Sequence, residues 1–261
     1  MPRPDFRSPR LYVDQKLATG TEIPLERDQT NYLGNVLRLA QGDAVLLFNG
    51  RDGEWRAALT GGKRITAARV GERLREQPPD SDLHFLFAPL KHARLDYMAQ
   101  KAVEMGVSRL QPVITRHTQV ARINLDRMRS NAVEAAQQCG VLSLPEVAEP
   151  ISFKTLLGRS DPDRLLVFCD EDAEVQDPVA ALSAARPAPT ALLPAGAARE
   201  AMPLALFIGP EGGFSEEERD ALLQRPNMVR ISLGPRILRA DTAAVAALAL
   251  VQAVIGDWKP S

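Results

Sequence analysis

The feature of this chain that most constrains its fold is a regular alternation of apolar and amphipathic segments from residue 83 onward. Short apolar runs, each long enough for a buried strand, alternate with stretches whose apolar residues recur at helical spacing. Two parallel strands need a crossover of about helical length, so this alternation is typical of a parallel sheet covered by helices. The apolar runs are LHFLFAP, RLQPVIT, RLLVFCDED, LALFIGP and MVRISLGP. The sequence therefore predicts an α/β fold for residues 83–261.

The helices of this region carry end signals of their own. Asn124 can cap a helix over residues 125–139. Ser215, with Glu218 three residues later, forms a capping box at the start of another helix. Residues 173–203 are rich in alanine and proline, and we expect a connection there with one short helix.

Residues 1–75 have a different pattern, made of short β-type runs. An Asn-Gly and an Asp-Gly dipeptide within residues 49–53 are strong turn signals between two of these runs. One helical stretch, residues 29–39, interrupts them. The pattern predicts a small β-barrel domain, joined by a polar linker at residues 76–82 to the α/β domain of residues 83–261.

Charge is unevenly distributed along the chain, although the formal net charge is only −1. Residues 1–75 hold 13 Lys and Arg against 9 Asp and Glu, and residues 91–130 hold 8 against 3. Two basic segments indicate a face that binds a polyanion. Solvated charges scattered over the surface are the alternative, since neighbours in sequence need not share a surface.

Composition and cysteine content narrow the class of protein. No apolar run reaches the roughly 18 residues that a membrane span needs. The first ten residues lack the apolar segment of a secretory signal. The two cysteines, Cys139 and Cys169, have no metal-ligand spacing and are too few for a disulfide framework. We therefore expect a cytoplasmic protein with reduced thiols, no metal and no membrane partner.

Two of the apolar strands run into loops rich in glycine and proline, GPEGG at residues 209–213 and LGPRIL at residues 233–238. Ligands of parallel α/β sheets bind beyond the carboxyl ends of the strands, and glycine lets a backbone approach a ligand closely. Neither loop is a phosphate-binding or dinucleotide motif. The carboxylate of Glu211 would repel a triphosphate, so we expect a neutral or cationic ligand. Two ordinary strand–helix turns are the alternative.

These loops also carry a resemblance to a known family. FIGPEGGFSEEE together with LGPRILRADTA closely resembles the SPOUT methyltransferase superfamily. More narrowly, it resembles the bacterial 16S ribosomal RNA uridine-N3 methyltransferases, the RsmE family. NYLGNVLRLAQGDAVLLFNGRDGEW resembles that family's PUA-like N-terminal barrel, and LKHARLDYMAQKAVEMGV and AAQQCG…LPEV resemble two further segments. The resemblance spans nearly the whole chain.

The resemblance implies a methyltransferase domain with a deep trefoil knot, a homodimer, and S-adenosylmethionine as cofactor. It places the cofactor in the loops at the strand ends, with a third loop near residues 169–171. Carried over by position, the cofactor-binding residues are Gly209, Pro210, Glu211, Gly212, Gly213, Leu233, Gly234, Ile237 and Leu238.

Methyl transfer to uridine N3 requires loss of a proton with a solution pKa of roughly nine, close to the phenol range. It also requires stabilisation of the negative charge left on O2 and O4. The candidate cations are Arg236 and Arg239, and the candidate proton acceptors are Glu211 and Asp241. Each has a structural alternative: Arg236 could brace a loop, Arg239 could pair with Asp241, and Glu211 could accept loop amides. Where the family has Thr-Glu-Thr-Ala, this chain has Ala-Asp-Thr-Ala, so the carboxylate of Asp241 is one methylene shorter.

The expected partner is 16S ribosomal RNA, free or within the assembled small subunit. Cations of the two basic segments would contact its phosphates. These candidates are Arg3, Arg7, Arg10, Lys91, Arg94, Arg116 and Arg122. The histidines, His84, His92 and His117, are expected to be surface or core residues. Two other functions stay open: a ribose 2′-O RNA methyltransferase of the same superfamily, and an RNA-binding ribosome-assembly protein without catalysis.

Overall fold

The computed structural model describes residues 8–62, 64–79, 81–120, 122–159, 161–174, 177–185 and 202–258. The described residues of Met1–Asp80 form one compact unit together with Val133–Leu144. Those of Ser81–Ala132 and Pro145–Ser261 form a second. The first unit is therefore discontinuous in sequence, which the linear pattern of the chain does not reveal.

The first unit is built on a five-stranded sheet. Its strands are β1 (Arg10–Tyr12), β2 (Glu22–Pro24), β3 (Ala44–Phe48), β4 (Glu54–Thr60) and β5 (Ala67–Arg75). Their order is β1-β3-β4-β5-β2, and every pair is antiparallel except β1 with β3. The predicted turn within residues 49–53 is confirmed, with Gly50 and Gly53 at φ of 79° and 83°.

The helical stretch predicted at residues 29–39 is shorter and less regular in the structure. Helix α1 (Arg27–Asn31) passes into a π-helical turn, Tyr32–Val36. Gly34 lies in this turn, where its low helix propensity favours departure from α-helical geometry. Leu33 is fully buried there and anchors the turn in the apolar core of the sheet.

The two units share helix α3 (Leu125–Cys139), whose second half belongs to the first unit. The backbone N–H of Tyr12 donates to Gln137 Oε1 at 2.9 Å, and Arg75 donates to the carbonyl of Gly140 at 3.0 Å. At the other end, Asn124 Oδ1 accepts from the backbone N–H of Arg127 at 2.9 Å. The predicted cap of α3 is therefore confirmed.

The second unit is an α/β domain with seven parallel strands. These are β6 (Leu83–Phe87), β7 (Arg109–Ile114), β8 (Glu146–Val147), β9 (Ile151–Ser152), β10 (Leu165–Cys169), β11 (Leu204–Ile208) and β12 (Met228–Ile231). The other helices are α2 (His92–Glu104), α4 (Phe153–Gly158), α5 (Pro178–Ala184), α6 (Glu216–Leu223) and α7 (Ala240–Val254). The strand order is β12-β10-β11-β6-β7-β8, with β9 paired to β7. The predicted α/β fold with a parallel sheet is confirmed.

Helices cover this sheet on both faces, which explains why its strands are apolar runs rather than alternating sequences. On one face, Leu86, Leu166 and Phe207 pack with residues of α4 and α6. Helices α2 and α7 pack against each other, and α7 contacts β11. The short helix α5 confirms the one expected within residues 173–203, of which residues 186–201 lie outside the described residues. None of the helices in the described part of the chain has the length and apolarity to cross a membrane.

Candidate active site

Three loops converge at the carboxyl edge of the parallel sheet. They follow β10, β11 and β12, which are neighbours in the sheet, so their carboxyl ends meet at one place. Residues of all three loops line a single cleft of ≈ 490 Å³. They are Cys169–Glu171 and Ala173 after β10, Ile208–Gly213 after β11, and Ser232–Leu238 after β12, with Ala240 and Ala243 of α7. All nine residues predicted to bind the cofactor are among them.

The GPEGG loop is anchored by an aromatic residue. The Phe214 ring is buried and meets Phe168 and Phe207 edge to face, each with ring centroids 5.0 Å apart. A Cβ at Gly209 would overlap the Phe214 ring, and Gly213 has a φ of 71°. Part of the glycine requirement of this loop therefore comes from the protein's own packing rather than from a ligand.

The predicted capping box follows this anchor and is confirmed. Ser215 Oγ accepts from the Glu218 N–H at 3.2 Å, and Glu218 Oε2 accepts from the Ser215 N–H at 3.1 Å. The other oxygen of Glu218 accepts from the backbone N–H of Arg116 at 2.8 Å, which ties the loop after β7 to α6. His117, next along that loop, has Nδ1 at 3.1 Å and 3.0 Å from the carbonyls of Gly212 and Gly213. Since carbonyls only accept, this nitrogen carries the proton.

The loop after β10 is held by a buried carboxylate. The Asp170 side chain is fully buried, and Arg230 Nε donates to it at 2.7 Å while Arg219 Nε donates at 3.2 Å. Arg219 also reaches Asp172 at 2.7 Å. Asp170 thus connects β10, α6 and β12 beneath one wall of the cleft. Burial, with the charge of Asp170, raises the pKa of the neighbouring Cys169 thiol, so this thiol stays protonated and unreactive.

Arg94 of α2 bridges the two predicted proton acceptors. Its guanidinium donates to both oxygens of Asp241, at 3.0 Å and 3.2 Å, and also to Glu211. The hydrogen bonds from Arg94 hold the pKa of Asp241 below its ordinary value, and they raise the pKa of Arg94. The alternative in which Arg239 pairs with Asp241 is wrong, because Arg94 takes both oxygens. Nor is Arg94 a free cation for RNA phosphates, as the sequence suggested.

The remaining predicted residues of the third loop face solvent. Arg236 and Arg239 are exposed, and neither side chain has an ion pair or hydrogen bond within the described ranges. Arg239 stands at the N-cap of α7. Ile237 is 99% exposed at the mouth of the cleft, whereas Leu233 and Leu238 are half-buried. Arg236 is therefore a cation that lines the cleft and is available to a ligand.

The predicted RNA contacts divide into three groups. Lys91, Arg116 and Arg122 are exposed, and the first two follow β6 and β7 at the same edge as the cleft. Arg3 and Arg7 lie outside the described residues. Arg10 is a correction: its side chain is 2% exposed and its Nε donates to the buried Glu54 at 2.7 Å. A guanidinium held in a buried ion pair cannot reach a phosphate.

Sequence patterns alone missed the roles of Asp170, Arg94 and His117. Asp170 had a usable signal, since an acidic residue directly after a buried strand lies at the ligand edge of the sheet. Arg94 and Asp241 are 147 positions apart, and only the strand order brings them together. His117 was expected to be an ordinary surface or core residue, whereas it contacts the GPEGG loop.

The cleft has the properties of a site for a nucleoside that carries a positive charge. Its volume lies within the range of small-molecule sites. Loop backbone supplies hydrogen-bonding groups, while Ile208, Leu233 and Leu238 supply apolar surface. Its lining also carries the carboxylates of Glu171 and Glu211, which can face a cationic group, although each also contacts an arginine, Arg219 and Arg94 respectively.

Comparison with known proteins agrees with this geometry. An RNA methyltransferase domain model matches residues 76–252, and an RNA methyltransferase PUA domain model matches residues 25–68. The ribosomal RNA small subunit methyltransferase E of Rickettsia conorii is 30% identical over 93% of this chain and 94% of its own. The protein of the same name from Synechocystis is 28% identical, over 94% of this chain and 78% of its own.

Solved structures give the same result. A Legionella pneumophila methyltransferase in complex with SAM has a TM-score of 0.77 at 28% identity, covering 95% of this chain and 98% of its own. The Neisseria gonorrhoeae ribosomal RNA small subunit methyltransferase E, bound to S-adenosyl methionine, has a TM-score of 0.78 at 25% identity. The match covers 97% of this chain and 100% of the Neisseria chain. The chain thus belongs to the RNA methyltransferase domain family and, within it, to the ribosomal RNA small subunit methyltransferase E enzymes.

Proposed function

We propose that this enzyme transfers the methyl group of S-adenosylmethionine to N3 of a uridine in 16S ribosomal RNA. The observation that carries the proposal is the convergence of three strand-end loops on one cleft lined by Glu211, Arg236 and glycine-rich backbone. Family membership supports an RNA substrate from the small ribosomal subunit. Uridine N3 comes from the resemblance of the GPEGG and LGPRIL loops to the uridine-N3 enzymes.

The cleft holds the methyl donor in this proposal. Backbone groups of residues 209–213 and 233–238 would hydrogen-bond its adenine, and Leu233 and Leu238 would supply apolar contacts. The bound cofactor supplies an electrophilic methyl group on a sulfonium. Glu171 and Glu211 offset its positive charge, and Asp170 fixes the wall from which Glu171 projects.

Arg236 and Glu211 carry out the chemistry on the RNA side. Arg236, an exposed cation that lines the cleft, would stabilise negative charge on O2 and O4 of the uridine as the N3 proton leaves. Glu211 accepts that proton, because it is more exposed than Asp241, at 43% against 16% of the side chain. Asp241 holds Arg94, and Arg94 positions Glu211. Arg239 supplies a second cation at the start of α7.

The exposed cations beside the cleft bind the RNA. Lys91, Arg116 and Arg122 contact phosphates, and Arg3 and Arg7 are further candidates from the first basic segment. The same proposal includes the trefoil knot and the homodimer implied by the resemblance. Ile237 is almost fully exposed at the mouth of the cleft, and covering an apolar side chain is energetically favourable. This supports a contact there with a second subunit or with RNA. A ribosomal RNA substrate also agrees with the predicted cytoplasmic location.

The test is a deletion strain whose small-subunit ribosomal RNA is digested and examined by mass spectrometry. Loss of 3-methyluridine, restored by purified enzyme and S-adenosylmethionine in vitro, supports the proposal. Loss of a ribose 2′-O-methyl nucleoside would instead identify the alternative chemistry. A protein that fails to bind S-adenosylmethionine in a calorimetric titration would be the assembly protein without catalysis.

Arg236 provides the matching residue test. Arg236→Ala should lower kcat a hundredfold or more, about 2.7 kcal/mol of transition-state stabilisation, with cofactor affinity nearly unchanged. Arg236→Lys keeps the charge and should recover part of the rate. Wild-type turnover in Arg236→Ala would show that Arg236 is not catalytic.

A further inference from the structure

A second cavity lies at the opposite, amino edge of the methyltransferase sheet. Its volume is ≈ 250 Å³, and it shares no lining residue with the cofactor cleft. His84, Arg109 and Ala205, which stand near the first residues of β6, β7 and β11, line it. We call it the amino-edge cavity.

The amino-edge cavity is rich in guanidinium groups, and only two of the four have counter-ions. Arg164 pairs with Asp82 at 2.7 Å and with Asp161, which also lines the cavity, at 3.5 Å. Arg109 pairs with Glu146 at 2.6 Å. The side chains of Arg159 and Arg225 form no ion pair or hydrogen bond with the residues that the structure describes. Burial alone lowers the pKa of Arg225. Arg225 is half-buried and Arg159 is exposed. A half-buried cation without a counter-ion is unfavourable, so Arg225, with Arg159 lining the same cavity, points to an anionic ligand.

One wall of the cavity is formed by apolar side chains of the sheet. Leu86, Leu166 and Ala205 point to the same face of adjacent strands, and Leu156 of α4 forms a side wall. A ligand for this cavity therefore combines an anionic group with a weakly polar body, as a nucleotide does. Guanidinium groups recognise phosphate with two parallel hydrogen bonds and stack on aromatic rings.

We propose that the amino-edge cavity binds one nucleotide, with its phosphate between Arg159 and Arg225 and its base on the apolar wall. The nucleotide is either free or a unit of a single-stranded RNA, and the RNA source rests on the proposed function. The RNA would then contact the enzyme at both edges of the sheet. Such a contact adds affinity at a distance from the methylated base.

The test uses the full chain, saturated with S-adenosylmethionine so that the probes cannot take the cofactor's place in the cleft. A probe that binds as substrate beside Arg236 does so equally in wild type and in every variant, because none of the variants changes the cleft lining. Uridine monophosphate and an eight-nucleotide single-stranded oligouridylate are titrated by calorimetry into wild type, Arg159→Gln and Arg225→Gln. Arg129→Gln is the matched control, since it removes the same charge from an exposed side chain paired with Asp126 on α3. Each cavity variant should bind about tenfold more weakly, as loss of roughly 1.4 kcal/mol per contact implies, and the control should stay within twofold.

Each outcome is decisive. Weaker binding of both probes supports a site for free nucleotide, and weaker binding of the oligonucleotide alone supports an RNA strand. Equal affinities in wild type and cavity variants, or no saturable binding of either probe, would overturn the proposal. Both variants should melt no lower than wild type because neither arginine has a partner to lose, so weaker binding cannot be ascribed to misfolding. S-adenosylmethionine affinity, measured by titrating the cofactor into the same protein preparations before they are saturated, reports on the proposed function separately.

Discussion

Replacing Asp170 by asparagine should destabilise the second unit and weaken cofactor binding together. Removing one member of a buried ion pair costs about 3–5 kcal/mol, because the other charge stays buried without compensation. Here the side chains of Arg219 and Arg230 are 16% and 31% exposed, and asparagine keeps one acceptor oxygen. We therefore expect a smaller loss, about 2–3 kcal/mol, at this site.

Scanning calorimetry measures the effect, because it can separate the melting of two compact units. For a unit of this size, a loss of about 1 kcal/mol in the free energy of unfolding lowers the melting temperature by about 2–4 °C. The melting temperature of the second unit should therefore fall by about 5–10 °C. S-adenosylmethionine affinity should fall about tenfold, since the loop after β10 lines the cleft.

Asp172→Asn is the matched control. Asp172 contacts the same Arg219 at 2.7 Å, but its side chain is 63% exposed. An exposed pair contributes no more than about 1 kcal/mol, so the melting temperature should change little. Equal shifts in the two variants, or no shift in Asp170→Asn, would refute the view that burial of Asp170 fixes the cleft wall.

Three further predictions concern ion pairs. Arg94→Gln should lower kcat tenfold or more in steady-state assays and cofactor affinity tenfold or more in titrations. The reason is that the carboxylates of Glu211 and Asp241 lose the cation that they share. Wild-type values would contradict the positioning role of Arg94. The pKa of Asp241 is lowered in the folded protein, so its contribution to the free energy of unfolding is present above about pH 4 and is lost as pH falls through the folded value. Denaturation at pH 2–6 should show this loss in wild type and not in Asp241→Asn. Arg10→Met should lower the stability of the first unit by about 2–3 kcal/mol, because Arg75, at 3.6 Å, still offsets part of the buried charge of Glu54. The salt dependence of RNA affinity should stay unchanged, and a shallower salt slope would show that Arg10 does contact a phosphate.

Much of the fold follows from local signals. The apolar run 204–208, the glycine-rich turn and the Ser215 capping box are contiguous, so a strand, a ligand-edge loop and a helix could be placed from sequence alone. The cap of α3 at Asn124 is local in the same way. The π-helical turn at Tyr32–Val36 was not predicted, because periodicity does not separate it from an α-helix.

The partners of charged residues could not be predicted, because they depend on strand order and register. Arg10 meets Glu54 from 44 positions away, across the parallel pairing of β1 with β3 and the antiparallel pairing of β3 with β4. Arg94 reaches Asp241 because α2 packs against α7. When charges are summed along the sequence, such residues are treated as surface cations. Only the fold shows which of them are neutralised by a carboxylate.

The most direct test of the account is a crystal structure of this protein with S-adenosylmethionine at saturating concentration. The account predicts the adenine between residues 209–213 and 233–238, with the methyl group open toward Arg236. A cofactor bound elsewhere, or a methyl group turned away from Arg236, would contradict it.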